Sequence, residues 1–248
     1  MLLRDRLIKE GHWVFKWRSY LPLALLPAIA LALPDSLIIE RTLGQATQSA
    51  FDVLCISVTI LGLVIRFFTA TYVPKSTSGR NTTGQKAESL NTTGLYSVVR
   101  NPLYLGNFFA YLGLALFIQV WWFVLILIMA FYLEHERIVL TEEDFLSKKF
   151  GADYKKWALT TPAFIPKLKN WKRPELEFSL RSAIRREFPS LMIVCGYFTA
   201  LHFAQNVFVH GSWSIEAGWL KFFFTGLIIY VVLFVIKKKT RILRIKGR

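Results

Sequence analysis

The chain has 248 residues and carries 31 Lys and Arg against 16 Asp and Glu, a formal net charge of +15, yet 54% of it is hydrophobic. That apolarity excludes a disordered basic tail and argues against a soluble nucleic-acid binder. It leaves apolar spans with basic flanks, the composition of a membrane protein.

Residues 1–49 read as an amphipathic N-terminal segment and a first span. The span runs from about Tyr20 to Leu33, and Leu37 to Ile39 extends it past Pro34. An apolar helix needs about 20 residues to cross the hydrocarbon core. No small-residue cleavage site follows and another long span soon comes, so the run is not read as a cleavable signal peptide. The second span, Ala50 to Val73, contains one charge, Arg66. A charge inside a span costs about 2.5–3.5 kcal/mol on insertion scales. By helical rise Arg66 lies about 10 Å from the boundary at Val73. Two readings stand: Arg66 snorkels to the head groups, or it is a buried partner for an anion, either a substrate phosphate or carboxylate or one of the motif glutamates Glu142 and Glu143.

The polar loop 75–97 holds a small echo, Asn81-Thr82-Thr83-Gly84 and Asn91-Thr92-Thr93-Gly94. Both copies contain N-x-T sequons, which on a cytoplasmic loop read as turn chemistry. Leu103 to Leu133 then gives 31 residues without a charge. One straight helix of that length would reach about 46 Å, too long for a single span. Split near Gln119, it becomes two helices in a tight hairpin. The last spans are about Ser190 to Val209 and Trp219 to Ile236.

Lys and Arg concentrate in cytoplasmic loops. With the hairpin, 28 of the 31 basic residues fall on one face, the exceptions being Arg41, Arg66 and Lys221. One helix in its place would spread them over both sides. The expectation is therefore an all-α polytopic membrane bundle of about six transmembrane helices, including the tight helical hairpin, with both termini cytoplasmic. Its basic flanks suit anionic lipid head groups, and no nucleic-acid partner is expected. Cys55 and Cys195 lie in apolar runs, and His12, His135, His202 and His210 show no ligand spacing, so no metal site is expected.

Two segments carry chemistry. Gly94-Leu95-Tyr96-Ser97-Val98-Val99-Arg100-Asn101-Pro102-Leu103-Tyr104-Leu105-Gly106 enters the hairpin. Pro102 suits a first helical turn and Asn101 suits the cap before it. Arg100 then lies near a helix N-terminus, a place for an anionic ligand such as a carboxylate. The same residues also fit an interfacial Arg and Tyr belt. The hairpin leaves through Glu134-His135-Glu136-Arg137, Glu142-Glu143-Asp144-Phe145-Leu146 and Phe150-Gly151-Ala152-Asp153-Tyr154, which returns these acids to the neighbourhood of Arg100 and Asn101. Carboxylates on a basic face pair with the local Lys and Arg or hold a cationic ligand, and composition leaves both open.

The ordered pair, Gly94-Leu95-Tyr96…Arg100-Asn101-Pro102-Leu103-Tyr104-Leu105-Gly106, some 30 apolar residues, then Glu142-Glu143-Asp144-Phe145-Leu146…Phe150-Gly151-Ala152-Asp153-Tyr154, resembles the isoprenylcysteine carboxyl methyltransferase and phospholipid methyltransferase superfamily. These are integral membrane enzymes that use S-adenosylmethionine. The resemblance covers roughly residues 50–166, which sets a methyltransferase core between the N-terminal segment (1–49) and a region (167–248) of basic linker, last two spans and basic tail. It implies a cytoplasmic helical cofactor-binding region, with cofactor-binding roles for Arg100, Asn101, Leu103, Tyr104, Glu142 and Glu143, joined by the backbone of Gly94 and Tyr96. Glu143 and Arg66 are the expected catalytic residues, and Glu142, Glu143 and His135 are candidate bases for an amine acceptor.

Two departures from the family pattern matter. The usual His is Asn101 here, which cannot titrate near neutral pH and so points to binding rather than proton transfer. The usual basic residue before the closing proline is missing from Leu159-Thr160-Thr161-Pro162-Ala163-Phe164-Ile165-Pro166, which argues against a prenylcysteine substrate. The run Thr77-Ser78-Gly79-Arg80-Asn81-Thr82 leading into Leu90-Asn91-Thr92-Thr93-Gly94 is similar to bacterial members, including lipid A phosphate methyltransferases. That similarity implies a bacterial inner membrane and a lipid head group (phosphate, amine or carboxylate) as acceptor. Two other classes compete. Membrane sterol reductases share an Arg-His-Pro-x-Tyr element and use NADPH, but the Glu-Glu continuation argues against them. A non-enzymatic membrane protein, such as a small transporter, is poorly supported by spans with few ionisable residues.

Overall fold

The computed structural model describes residues 2–74, 85 and 87–243. The first copy of the loop echo, Asn81 to Gly84, and the run from Thr77 to Thr82 lie outside them. Nine α-helices are present among the described residues, with no strand beyond an isolated bridge between Gly94 and Lys172.

Helix α1 (Leu3–Trp17) is amphipathic and buries Gly11, Val14 and Phe15. Its Val14 and Phe15 pack with Ile138 far along the chain. Thr141 Oγ1 donates to the Ile8 carbonyl, and Arg137 pairs with Glu10 at 3.2 Å. The N-terminal segment therefore lies along the extension of the hairpin, an arrangement that local periodicity does not reveal.

The first span is not the single helix expected from Tyr20 onward. It consists of a 3₁₀ turn at Leu21–Leu25, α2 (Leu26–Ala32), a 3₁₀ turn at Leu33–Asp35 and α3 (Ile38–Leu43), with Leu37 left-handed at φ 57°. The cause is local. Pro22, Pro27 and Pro34 each sit at the start of one piece, and each removes an amide donor and clashes with the preceding turn.

Helix α4 (Gln45–Thr71) starts earlier than the expected second span and ends near the expected point. The hairpin is present. After the short α5 (Leu95–Val98), α6 (Pro102–Ile118) ends at Gln119, whose φ is 64°, and α7 begins at Trp121. Its arms are unequal, for α7 (Trp121–Thr160) continues beyond the charge-free stretch Trp121–Leu133 to a length of 40 residues. Helix α8 (Leu180–His210) starts within what the sequence reads as basic linker, and α9 (Ala217–Lys239) follows. Among the described residues four stretches are long and apolar enough to cross a membrane: Leu21–Leu43, Gln45–Thr71, Leu180–His210 and Ala217–Lys239. With the two hairpin arms they make the expected bundle of about six.

The tightest packing joins α4 to α6. A Cβ placed on Gly62 would stand 2.3 Å from the Gly106 carbonyl oxygen, and one on Gly113 would stand 2.4 Å from that of Cys55. Small residues thus let the two backbones touch, the device that holds helices together where lipid removes the hydrophobic drive. Thr59 Oγ1 adds a hydrogen bond to the Ala110 carbonyl at 3.2 Å. Helix α9 is peripheral and buries only Gly226, against Cys195 of α8. Its exposed Phe224, Ile228, Val231 and Val232 suit a lipid-facing wall.

Candidate functional site

The two chemistry-bearing segments meet where α6 begins and α7 emerges from its apolar stretch. Arg100 Nη1 lies 3.0 Å from Glu143 Oε1. One helical turn further on, the Tyr104 hydroxyl donates to Glu142 Oε1 at 2.9 Å. Two residues four apart on one strand of the hairpin thus engage two adjacent acids on the other.

The sequence closes this site through a break in α7. Gly151 has φ 54°, ψ −119°, outside the helical region and natural only for glycine. Beyond it the chain turns back under the site. Tyr154 takes a hydrogen bond from Arg100, and Trp157 Nε1 donates to the Tyr96 carbonyl at 3.1 Å. The segment 161–175 then straps over the start of α6. Arg100 N donates to Pro162 O, Lys167 N to Val98 O, and Gly94 N to Lys172 O, at 2.8, 2.9 and 3.0 Å.

The electrostatics are uneven. The side chains of Arg100 and Glu143 are 19% and 29% exposed. Burial pushes the Glu142 carboxyl up to about 7, against the hydrogen bond from Tyr104 and the charge of Arg18. Burial also raises Glu143, opposed by the charges of Arg100 and Arg4. Arg4 and Arg18 come from α1 and its end, so the N-terminal segment supplies positive charge to a site that the sequence pattern placed wholly within residues 50–166. The Arg100 guanidinium itself is only partly engaged: its Nε is buried and has no acceptor among the described residues.

The other expected site residues have different surroundings. Asn101 stands at the cap position of α6, but its side chain makes no capping bond. It donates instead to the Ala163 carbonyl at 3.1 Å, tying down the strap. The Gly94 amide is taken by Lys172 and its carbonyl by Ser97, while the Tyr96 carbonyl is taken by Trp157. These backbone groups hold the strap and do not point to a ligand. Leu103 is half-buried at the start of α6. His135 is a core residue: its ring stacks on Phe131 at 3.7 Å, and Nδ1 lies 2.9 Å from the Phe131 carbonyl.

Arg66 neither snorkels nor meets a motif glutamate. Its Nε and Nη2 donate to the two carboxylate oxygens of Glu187 on α8 at 2.8 and 3.1 Å, and Nη1 donates to Asn107 Oδ1. All three guanidinium nitrogens are occupied, and together these bonds tie α4, α6 and α8. Sequence reasoning passed over Glu187, because it lies in the stretch read as basic linker before the span at Ser190. It also passed over Trp157, whose role depends on the break at Gly151.

A family model described as phospholipid methyltransferase matches residues 52–153, from the second span to one residue short of Tyr154. The chain is 30% identical over 160 residues to the nickel-cobalt-cadmium resistance protein NccN of Alcaligenes xylosoxydans xylosoxydans, covering 59% of this chain and 75% of that protein. It is 36% identical over 85 residues to the cobalt-zinc-cadmium resistance protein CzcN of Cupriavidus metallidurans, covering 34% of this chain and 39% of that protein. No solved structure matches the chain.

Proposed function

The chain belongs to the phospholipid methyltransferase family, and from that premise we propose that it transfers the methyl group of S-adenosylmethionine to an anionic lipid head group at the meeting point of α6 and α7. The coarser statement follows from membership: an integral membrane methyltransferase acting on lipid. The single observation that supports the finer one, through the cofactor's place, is Arg100, paired with Glu143 yet left with a buried Nε that lacks an acceptor among the described residues.

The donor set fits the cofactor. Arg100 suits its carboxylate, and the carboxylates of Glu142 and Glu143 suit its ammonium and ribose hydroxyls. The Tyr104 ring offers a face to a cation. When bound, S-adenosylmethionine supplies a methyl group already activated by the sulfonium. What remains for the chain is to bind, to orient and to exclude water. Glu143 steadies the Arg100 fork. Tyr104 fixes the Glu142 carboxyl, and the strap closed by Asn101 and Trp157 covers the entrance to α6. A phosphate or carboxylate acceptor is already anionic near neutral pH and needs no base, which suits a site whose histidine is locked in packing. The acceptor enters from the bilayer beside the hairpin.

Charge also links this reading to the relatives, which are named for resistance to nickel, cobalt, zinc and cadmium. Methyl esterification of a head group removes a negative charge, and anionic membrane surfaces gather cations. A methylated surface therefore holds fewer divalent ions. The test is incubation of the purified full chain with radiolabelled S-adenosylmethionine and a total bacterial lipid extract. Label in an anionic lipid, lost in Arg100→Ala, is the expected result. Label only in an amine head group overturns the acceptor, and no label in any lipid overturns the function.

A further inference from the structure

At the end of the bundle opposite Arg100 lies a cavity of about 350 Å³, between the start of α4, the ends of α6 and α8 and the start of α9. Its size is that of a small-ligand site. Its charge is the reverse of the chain's. In a protein with 31 basic residues and 16 acidic ones, Glu40, Asp52 and Glu216 line it, and no Lys or Arg does.

Among the lining residues only histidines can carry positive charge beside these acids. His210 Nε2 stands 3.7 Å from Glu40 Oε1, and His202 Nε2 stands 4.0 Å from Glu216 Oε1. Both distances are beyond a hydrogen bond. Asp52 accepts from Gln48 Nε2 at 2.7 Å through Oδ1 alone. Gln48 is in turn fixed by Gln119 at the hairpin tip, which also accepts from the Ile39 amide. An amide chain thus holds Asp52 in place against the cavity.

A second observation is independent of the acids. Gln205 also lines the cavity and is fully buried. Its Nε2 donates to the Phe117 carbonyl at 3.1 Å, which fixes the amide, while its Oε1 has no donor among the described residues. A buried acceptor without a donor is destabilising until something donates to it. Three carboxylates and an orphaned carbonyl ask for a ligand that is both positive and rich in N–H donors. Trp219, stacked on His202 at 5.0 Å, adds an aromatic wall. Among the described residues no three His, Cys, Asp or Glu group closely enough to hold a metal ion.

We propose that this cavity binds a protonated primary amine, whose N–H groups donate to Gln205 Oε1 and to the carboxylates of Asp52 and Glu216. The amine is either a free solute or the head group of a lipid, and the two sources share this chemistry. The experiment is equilibrium dialysis of the detergent-solubilised full chain against radiolabelled ethanolamine. Saturable binding is expected, weakened at least tenfold in Glu216→Gln and in Glu40→Gln, with methyl transfer unchanged. Choline, which carries the same charge without N–H donors, should bind at least tenfold more weakly. Protection of the ethanolamine site in nanodiscs of phosphatidylethanolamine, but not of phosphatidylcholine, assigns the amine to lipid. Protection in neither assigns it to a free solute, and equal protection in both overturns the need for N–H donors and with it the proposal. Absence of saturable binding, equal affinity for choline, or displacement of ethanolamine by stoichiometric zinc overturns the proposal. Because Glu216 stands at the head of α9 and is exposed, its substitution leaves the fold intact and keeps the test open.

Discussion

Arg66 and Arg100 each face a glutamate across the bundle, and the two pairs are built differently. Arg66 spends all three guanidinium nitrogens on Glu187 and Asn107 and joins three helices. Arg100 gives Nη1 to Glu143, also bonds Tyr154, and keeps a buried Nε without an acceptor among the described residues. The chemistry is the same, so the completeness of the pairing is what separates them. A closed pair holds the bundle together and has nothing left for a ligand. An open pair is held in place by the fold but is finished by something that arrives.

The largest effect that tests this contrast is on the closed pair. Arg66→Ala leaves Glu187 charged and unpaired between helices, and breaking a buried pair costs about 3–5 kcal/mol. Thermal unfolding in detergent should show that loss, with the double variant Arg66→Met, Glu187→Leu recovering most of it. An Arg66→Ala protein of unchanged stability but no activity would favour the catalytic reading.

The open pair should behave in the opposite way. Arg100→Ala is expected to lower S-adenosylmethionine affinity ten- to a hundredfold by calorimetry, about 1.5–3 kcal/mol for hydrogen bonds to a charged group. Its unfolding temperature should fall less than that of Arg66→Ala. If the ordering reverses, the contrast between the pairs is wrong.

The scaffold beside Arg66 offers an intermediate effect. Gly106→Ala would set a Cβ 2.7 Å from the Gly62 carbonyl oxygen and 2.6 Å from Arg66 Cγ. Overpacking of this kind costs about 1–3 kcal/mol and should appear as lower stability with cofactor affinity kept.

The smallest effect concerns Glu142. Its carboxyl sits near 7 because burial raises it. A carboxyl raised above its unfolded value stabilises the fold most below the unfolded value, and that contribution is lost as pH rises through about 7. Cofactor binding that uses the carboxylate has the reverse sign and should strengthen as pH rises through the same range. Tyr104→Phe removes a hydrogen bond that holds the carboxyl down, so the midpoint of the binding profile should move up. Glu142→Gln should abolish the pH dependence of both.

What the sequence made legible follows from range. The hairpin was readable because a charge-free run too long for one span must turn, and Gln119 was its polar break. Arg100, Tyr104 and the acids could be aligned because the hairpin returns them to one end. Glu187 was not legible, since it pairs with Arg66 across 121 positions and lies in the stretch read as basic linker. The strap was missed for a related reason. The bonds from Gly94 and Tyr96 run to backbone and indole groups some 60 to 80 residues later, and backbone pairing leaves no side-chain signature. The breaks in the first span were present locally as Pro22, Pro27 and Pro34, but its apolarity outweighed them in the reading.

The continuity of α7 has a mechanical consequence. From Trp121 at the hairpin tip to Glu142 the helix has no break, and the rise over that distance is about 32 Å, close to the roughly 30 Å of a bilayer's hydrocarbon core. The helix therefore acts as a ruler: with Trp121 seated at one interface, the acids stand at a fixed height at the other. Head groups float with bilayer thickness while the acids do not, so turnover should peak in vesicles of one acyl-chain length and decline in thinner and thicker ones.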